Sequence, residues 1–173
     1  MESASIFPVR IRNIERGDLP CMYEMQLDPE SNRMAVTIPR TAEAFEAHWA
    51  KVLRDLSVTA KVILLGEEVV GSVSCFTHEG QAHVGYWVSR DHWGKGIGSR
   101  ALELLLLEVT SRPLYASAAT NNTASLRVLQ KCGFVVEQVQ LSPATERFSE
   151  REVAHLVLAE RGTADGMADE GIQ

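Results

Sequence analysis

The chain has 173 residues, 45% of them hydrophobic and 23% charged, with a formal net charge of −6. That length suits one domain with a core of its own and leaves little room for two. The acidic balance argues against non-specific nucleic-acid binding, which needs a basic face to neutralise phosphates, and the most apolar helical stretch, interrupted by Glu103 and Glu108, falls far short of the roughly 20 residues that span a bilayer.

Residues 9–14 (VRIRNI) alternate apolar and charged and predict a half-exposed first strand. Asp18 is placed to cap a helix reaching about Asp28, with Pro20 in its first turn. Pro29 and Pro39 bracket a segment that reads as an irregular linker. Thr41 caps a second helix, in which Phe45, Trp49, Val52 and Leu56 recur at helical spacing. Residues 59–65 and 69–77 are β-branched runs around Gly66-Glu67-Glu68, a hairpin pattern, and residues 82–88 add a third strand to this meander. The period then lengthens. Residues 96–109 predict a helix with Leu102, Leu105, Leu106 and Val109 on one face, ended by Arg112-Pro113. A strand over 114–119 follows, then a helix over 122–131 stopped by Gly133. Residues 134–141 and 150–158 read as an alternating strand pair, and the tail over 161–173 as disordered. The order β-α-α-β-β-β-α-β-α-β-β describes one α+β domain over residues 1–160, a mixed sheet of about six or seven strands flanked by about four helices.

Cys21, Cys75 and Cys132 are odd in number and widely spaced, with no C-x-x-C pair. They predict neither a disulfide framework nor a zinc site and fit a reducing cytosol. No apolar run precedes Arg10, which reads against a signal peptide, so the expectation is a soluble, cytoplasmic protein without a metal.

The most informative stretch is Trp93-Gly94-Lys95-Gly96-Ile97-Gly98-Ser99, between a strand and a strongly periodic helix. Glycines let the backbone approach a ligand closely, and free N–H groups at a helix N-terminus attract an anion such as phosphate. Taken alone, the same glycines also suit a tight strand-to-helix turn. A Walker loop would need Ser or Thr directly after Gly-Lys, but Gly96 follows Lys95. Gly96-Ile97-Gly98-Ser99-Arg100-Ala101 satisfies the loose dinucleotide fingerprint. That fingerprint expects a first-strand position and an acid closing the next strand, whereas the next strand here ends Ala118-Ala119-Thr120-Asn121.

The segment resembles the acyl-CoA loop of the GNAT superfamily of N-acetyltransferases, Q/R-x-x-G-x-G/A, with Gly96 and Gly98 at its glycines and Trp93 where Gln or Arg is usual. Residues 122–134 (NTASLRVLQKCGF) resemble that family's N-x-x-S-x-x-V-x-x-K-x-G-F pattern, best developed in the branch of the ribosomal-protein N-terminal acetyltransferases, and Tyr86-Trp87-Val88 also resembles that branch. The resemblance covers roughly residues 9–158. It implies a GNAT-like α/β/α sandwich whose sheet is splayed in the middle, and an enzyme that binds acetyl-CoA and transfers acetyl directly to an amine. It implies donor binding by Tyr86, Trp87, Val88, Trp93, Gly94, Lys95, Gly96, Ile97, Gly98, Ser99, Asn122 and Ser125, with Ser125 near the thioester sulfur.

Direct transfer needs a neutral amine. An alkyl amine of Lys-like pKa is mostly protonated at pH 7, and freeing it costs roughly 4–5 kcal/mol, so a positioned base is valuable. Relatives often carry a Glu at the position of His83; an imidazole can serve there, although a histidine alternating outward on a strand explains the residue equally well. Glu137 is a second candidate base. Asn122 is also a good helix cap, while Ser125 shares an inward face with Val128, Leu129 and Cys132. Met34, Arg40 and Trp49 are candidates for the acceptor wall. The acceptor amine is open between a protein N-terminus and a small molecule, and the oligomeric state between monomer and homodimer. A transferase with another acyl donor, and a non-catalytic acyl-CoA-binding module, are the alternatives.

Overall fold

The computed structural model describes residues 8–160. Seven strands, β1 (Val9–Asn13), β2 (Thr59–Leu65), β3 (Glu68–His78), β4 (Gln81–Val88), β5 (Leu114–Ala119), β6 (Val135–Ser142) and β7 (Arg151–Leu158), form one sheet in the order β1-β2-β3-β4-β5-β7-β6. Neighbours are antiparallel except β4 and β5, which run parallel. Five helices accompany it: α1 (Leu19–Gln26), α2 (Pro29–Ala35), α3 (Ala42–Arg54), α4 (Ile97–Glu108) and α5 (Thr123–Lys131). The expected α+β sandwich with a mixed, mostly antiparallel sheet is the observed one. The expectation of a disordered tail over 161–173 lies outside the described residues.

Local chemistry explains the elements. Glu79 and Gly80, both at positive φ (51° and 77°), make the tight β3–β4 turn, a geometry that matches the right-handed twist of paired strands. α4 buries Ile97, Ala101, Leu102 and Leu105 against one face of the sheet, and Leu129 of α5 and Phe134 complete that core. On the opposite face Met22 of α1 and Phe45 of α3 pack with Ile14, Val62 and Leu64. The sheet is therefore covered on both sides: one core spans β2 to β7 beneath α4 and α5, and the other lies on β2 beneath α1 and α3.

Three details depart from the sequence reading. The stretch read as a linker after Pro29 contains helix α2: Asp28 accepts from the backbone N–H (2.9 Å) and hydroxyl (2.8 Å) of Ser31, and Pro29 sits at the first helical position, where its missing N–H costs nothing. Asp18 makes no side-chain cap on α1, because its carboxylate is held by Arg12 (2.8 and 2.9 Å) and by the N–H of Glu15 (2.8 Å). The helix expected to carry Leu56 stops at Arg54. Asp55 accepts from Ser57 N–H (2.9 Å) and hydroxyl (2.6 Å), an Asx-type turn, and leaves Leu56 fully exposed.

Candidate active site

β4 and β5 share a single residue pair, His83 opposite Tyr115. Beyond it the two parallel strands diverge, and the gap opens into a cleft of about 640 Å³ between Val84–Val88 and residues 116–119. Side chains alternate along a strand. Val84, Tyr86 and Val88 accordingly belong to the core beneath α4 and α5, while Trp87 faces α1 and α3.

The glycine loop forms one end of the cleft. Gly94 and Gly96 have φ of +74° and +75°, conformations that side chains with a Cβ rarely adopt, and Gly96 is the N-cap of α4 with no side chain capping the helix. The first N–H groups of α4, from Ile97, Gly98 and Ser99, are thus left at the positive end of a 12-residue helix, an arrangement that favours an anion. Trp93 turns back onto β4 and donates its indole N–H to the Val88 carbonyl (2.8 Å), which fixes the loop to the strand. Trp93, Gly94, Gly96, Ile97 and Gly98 line the cleft together with Tyr86, Trp87 and Val88. Lys95 is exposed beside it and Ser99 is buried in the first turn of α4; neither lines the cleft.

Deeper in, α5 brings Asn122 and Ser125 to the wall. Asn122 caps α5 by accepting from the Ser125 N–H (3.2 Å). The Ser125 hydroxyl lies 2.6 Å from the Tyr86 hydroxyl, and either oxygen is able to donate. Burial pushes the Tyr86 phenol up to about 12, so it stays protonated at neutral pH. The resemblance named Tyr86 as a donor contact without a role for its side chain, and the hydroxyl pair gives it one.

The remaining candidates divide. Met34 lines the cleft, carried there by α2. Arg40 and Trp49 line a smaller cavity of about 120 Å³ on the α1–α3 side, and Trp87 borders both spaces. His83 does not line the cleft. Its ring stacks on Phe76 and meets His78 and Tyr115, and burial first, then His78, holds its pKa below the ordinary imidazole value. Glu137 occupies the bulge of exposed β6, away from the cleft lining.

Several lining residues carried no usable sequence signal. Ser117 of β5 reaches the cleft and shares a hydrogen bond of 3.1 Å with Nδ1 of His155 on β7. His92 lines the cleft with a buried, unpartnered Nδ1. Arg151 enters from β7 with its guanidinium 3.9 Å above the Phe148 ring, and burial lowers its pKa. Ser117 and Arg151 depend on strands distant in sequence coming together, and His92 on the turn that leads from β4 into the glycine loop. Among the described residues no group of three His, Cys, Asp or Glu side chains is placed to hold a metal ion.

The model of the acetyltransferase (GNAT) domain matches residues 9–135. An uncharacterised N-acetyltransferase, p20, of Bacillus licheniformis is 24% identical over 150 residues, covering 79% of this chain and 84% of that protein. Among solved structures, the spermidine N-acetyltransferase of Vibrio cholerae in complex with CoA and spermine superposes with a TM-score of 0.75 at 18% identity, over 88% of this chain and 95% of that one. RimL, the ribosomal L7/L12 alpha-N-protein acetyltransferase in complex with CoA, superposes with a TM-score of 0.73 at 18% identity, over 90% and 98% of the two chains.

Proposed function

The chain belongs to the acetyltransferase (GNAT) family as an acetyl-CoA-dependent N-acetyltransferase, and from that premise we propose that it transfers acetyl directly from acetyl-CoA to a primary amine within the β4–β5 cleft. The observation that carries this reading is the juxtaposition, along one cleft, of an uncapped helix N-terminus and a buried hydroxyl pair. Trp93, Gly94, Lys95, Gly96, Ile97, Gly98 and Ser99 hold the donor's pyrophosphate through main-chain N–H groups and the charge of α4. The open edge of Tyr86, Trp87 and Val88 receives the pantetheine arm, and Asn122 contacts it from α5.

The amine lone pair attacks the thioester carbonyl carbon, the carbon–sulfur bond breaks, and the departing thiolate takes a proton. Tyr86 and Ser125 supply that proton: when the phenol donates to Oγ rather than to the Ser125 carbonyl 3.2 Å away, the Ser125 proton is free to point at the sulfur. The proton lost by the amine passes to Ser117 as Ser117 hands its own to Nδ1 of His155. This route takes precedence over His83, because Ser117 lines the cleft and His83 does not.

Steady-state kinetics of Ser125→Ala and Tyr86→Phe test the site. Ser125→Ala lowers kcat about 100-fold with the KM for acetyl-CoA little changed, the range of a lost general acid. Full kcat in both variants sinks the assignment. Residues 1–160 act as the single catalytic domain. A cytoplasmic location is part of the same proposal, supported by three widely spaced cysteines; no described helix is long and apolar enough to cross a membrane. The protein works as a monomer or a homodimer, the exposed Val135, Val139 and Leu141 of edge strand β6 being the surface a second copy would cover; sedimentation across a concentration series distinguishes the two.

A further inference from the structure

The smaller cavity, beside Trp87, is walled by two arginines that are 107 positions apart (147 − 40) and converge from different segments. Both are half-buried, and no Asp or Glu lines the cavity. Among the described residues neither arginine forms an ion pair. Each is nevertheless held in place. Gln26 accepts from the Arg40 N–H (2.8 Å) and donates to the Arg40 carbonyl (3.0 Å), fixing that backbone at both ends of the peptide. Arg147 is fixed by the strap that joins Thr37 to Phe148: its carbonyl accepts from Ile38 N–H (2.7 Å), and one guanidinium nitrogen donates to the Ile38 carbonyl. A guanidinium offers five N–H donors, so four on Arg147 are uncommitted by that bond.

Two converging cations without a counter-charge repel each other and lose hydration, a cost that is recovered when an anion sits between them. The pKa values of both arginines are lowered, chiefly by burial, and that of Arg147 also by Arg40. The same field reaches His48, which burial, then Arg40 and Arg147, hold down at about 4. A third donor faces this region: the indole Nε1 of Trp87 is buried without a partner, and Trp87 borders both this cavity and the reaction cleft.

We infer that Arg40 and Arg147 form a carboxylate-binding subsite for the acceptor, so that this enzyme selects an amine bearing an anionic group a few atoms from its nitrogen. This rests on the transferase reading above and deepens it, naming the acceptor class. The cavity has the volume of about four water molecules, room for a carboxylate on a short arm. A polyamine or aminoglycoside would instead bring cations against two unpaired arginines. The carboxylate is carried by an amino acid or by an acidic residue next to a peptide N-terminus, and the two sources present the same chemistry to this subsite.

Calorimetry in the presence of CoA tests it with matched probes: glutamate against its diamide, and the tripeptide amide Ser-Glu-Ala against Ser-Gln-Ala. The subsite predicts at least one carboxylate probe binding about 10-fold or more tightly than its amide partner, the range of a charge-assisted hydrogen bond. In Arg40→Gln and Arg147→Gln that ratio falls towards 1 while acetyl-CoA affinity is unchanged. Because Arg147 also ties the strap, Arg147→Lys is measured alongside. It keeps the charge but loses the fork, and it retains an intermediate ratio if the fold is intact. The inference is overturned if neither carboxylate probe outbinds its amide, or if the ratio survives Arg40→Gln. Failure of acetyl-CoA to bind would instead remove the donor reading, and the carboxylate comparison, being a binding measurement, reports independently of it.

Discussion

Two hydroxyl contacts divide the proton chemistry of the cleft between its walls. Tyr86 meets Ser125 on the α5 side, and Ser117 meets His155 on the β5–β7 side. The first pair carries the proton to be given: burial keeps the phenol protonated at neutral pH, though as a weaker acid than a free tyrosine. The second is suited to taking one, since a neutral imidazole accepts through the ring nitrogen that faces the serine. His155→Gln therefore lowers kcat/KM about 10- to 100-fold at neutral pH. His83→Ala, which alters a ring stacked on Phe76 outside the cleft lining, leaves kcat/KM and its pH dependence in place. Wild-type kcat/KM in His155→Gln removes that residue from the proton path, and a changed pH profile in His83→Ala restores the simpler assignment to β4.

At the scale of elements, the end of β4 is positioned by a close approach from β3. Gly71 pairs with Val88, and a Cβ built on Gly71 would lie 2.1 Å from the Trp87 carbonyl oxygen, a backbone atom with no freedom to rotate away. Gly71→Ala must push β3 and β4 apart. Overpacking of this kind costs about 1–3 kcal/mol, or a Tm lower by about 2–12 °C in a domain of this size. The KM for the acceptor rises as well, because Trp87 walls both cavities. Gly17→Ala is the control: its Cβ meets nothing within 4 Å, and its Tm stays near wild type. An unaltered Tm in Gly71→Ala would show that the strands have slack there. The strands around this contact were legible from their β-branched runs, and α4 and α5 from their periodicity, because burial on one face imprints a period on sequence. Helix α2 was not. Its seven residues are too few to show a period, and Pro29 reads as a breaker unless Asp28 is recognised as the cap that makes it a starter. Arg147, Ser117 and His155 were illegible for another reason: their meaning comes from partners on other strands, which local patterning does not encode.

Across the whole molecule, the titration of buried groups sets a pH dependence of stability that can be signed. Hydrogen bonding to Arg12 holds the Asp18 carboxylate below its ordinary value despite burial. A folded-state value below the unfolded one means that Asp18 stabilises the fold above about pH 4, and that this contribution is lost as pH falls through the folded value. His48 has its folded value depressed from 6.5 to about 4, by burial first and then by Arg40 and Arg147. For a base the consequence is that the unfolded chain binds a proton the folded chain refuses, so stability declines as pH falls from 6.5 to about 4 and levels off below. His83, lowered by burial first, adds to the decline as pH falls below 6.5. Stability measured by urea unfolding should therefore be greatest above about pH 6.5 and fall in two stages, the first governed by histidines and the second by Asp18. His48→Gln reduces the first stage by on the order of 1 kcal/mol after solvent screening and leaves the second untouched. Asp18→Asn removes much of the second and leaves the slope between pH 6.5 and about 4 in place. A His48→Gln slope identical to wild type would mean that neither burial nor the cationic field of Arg40 and Arg147 depresses His48. The arginine pair and the histidine, from three separate segments, would then have to be treated as independent features of the α1–α3 face.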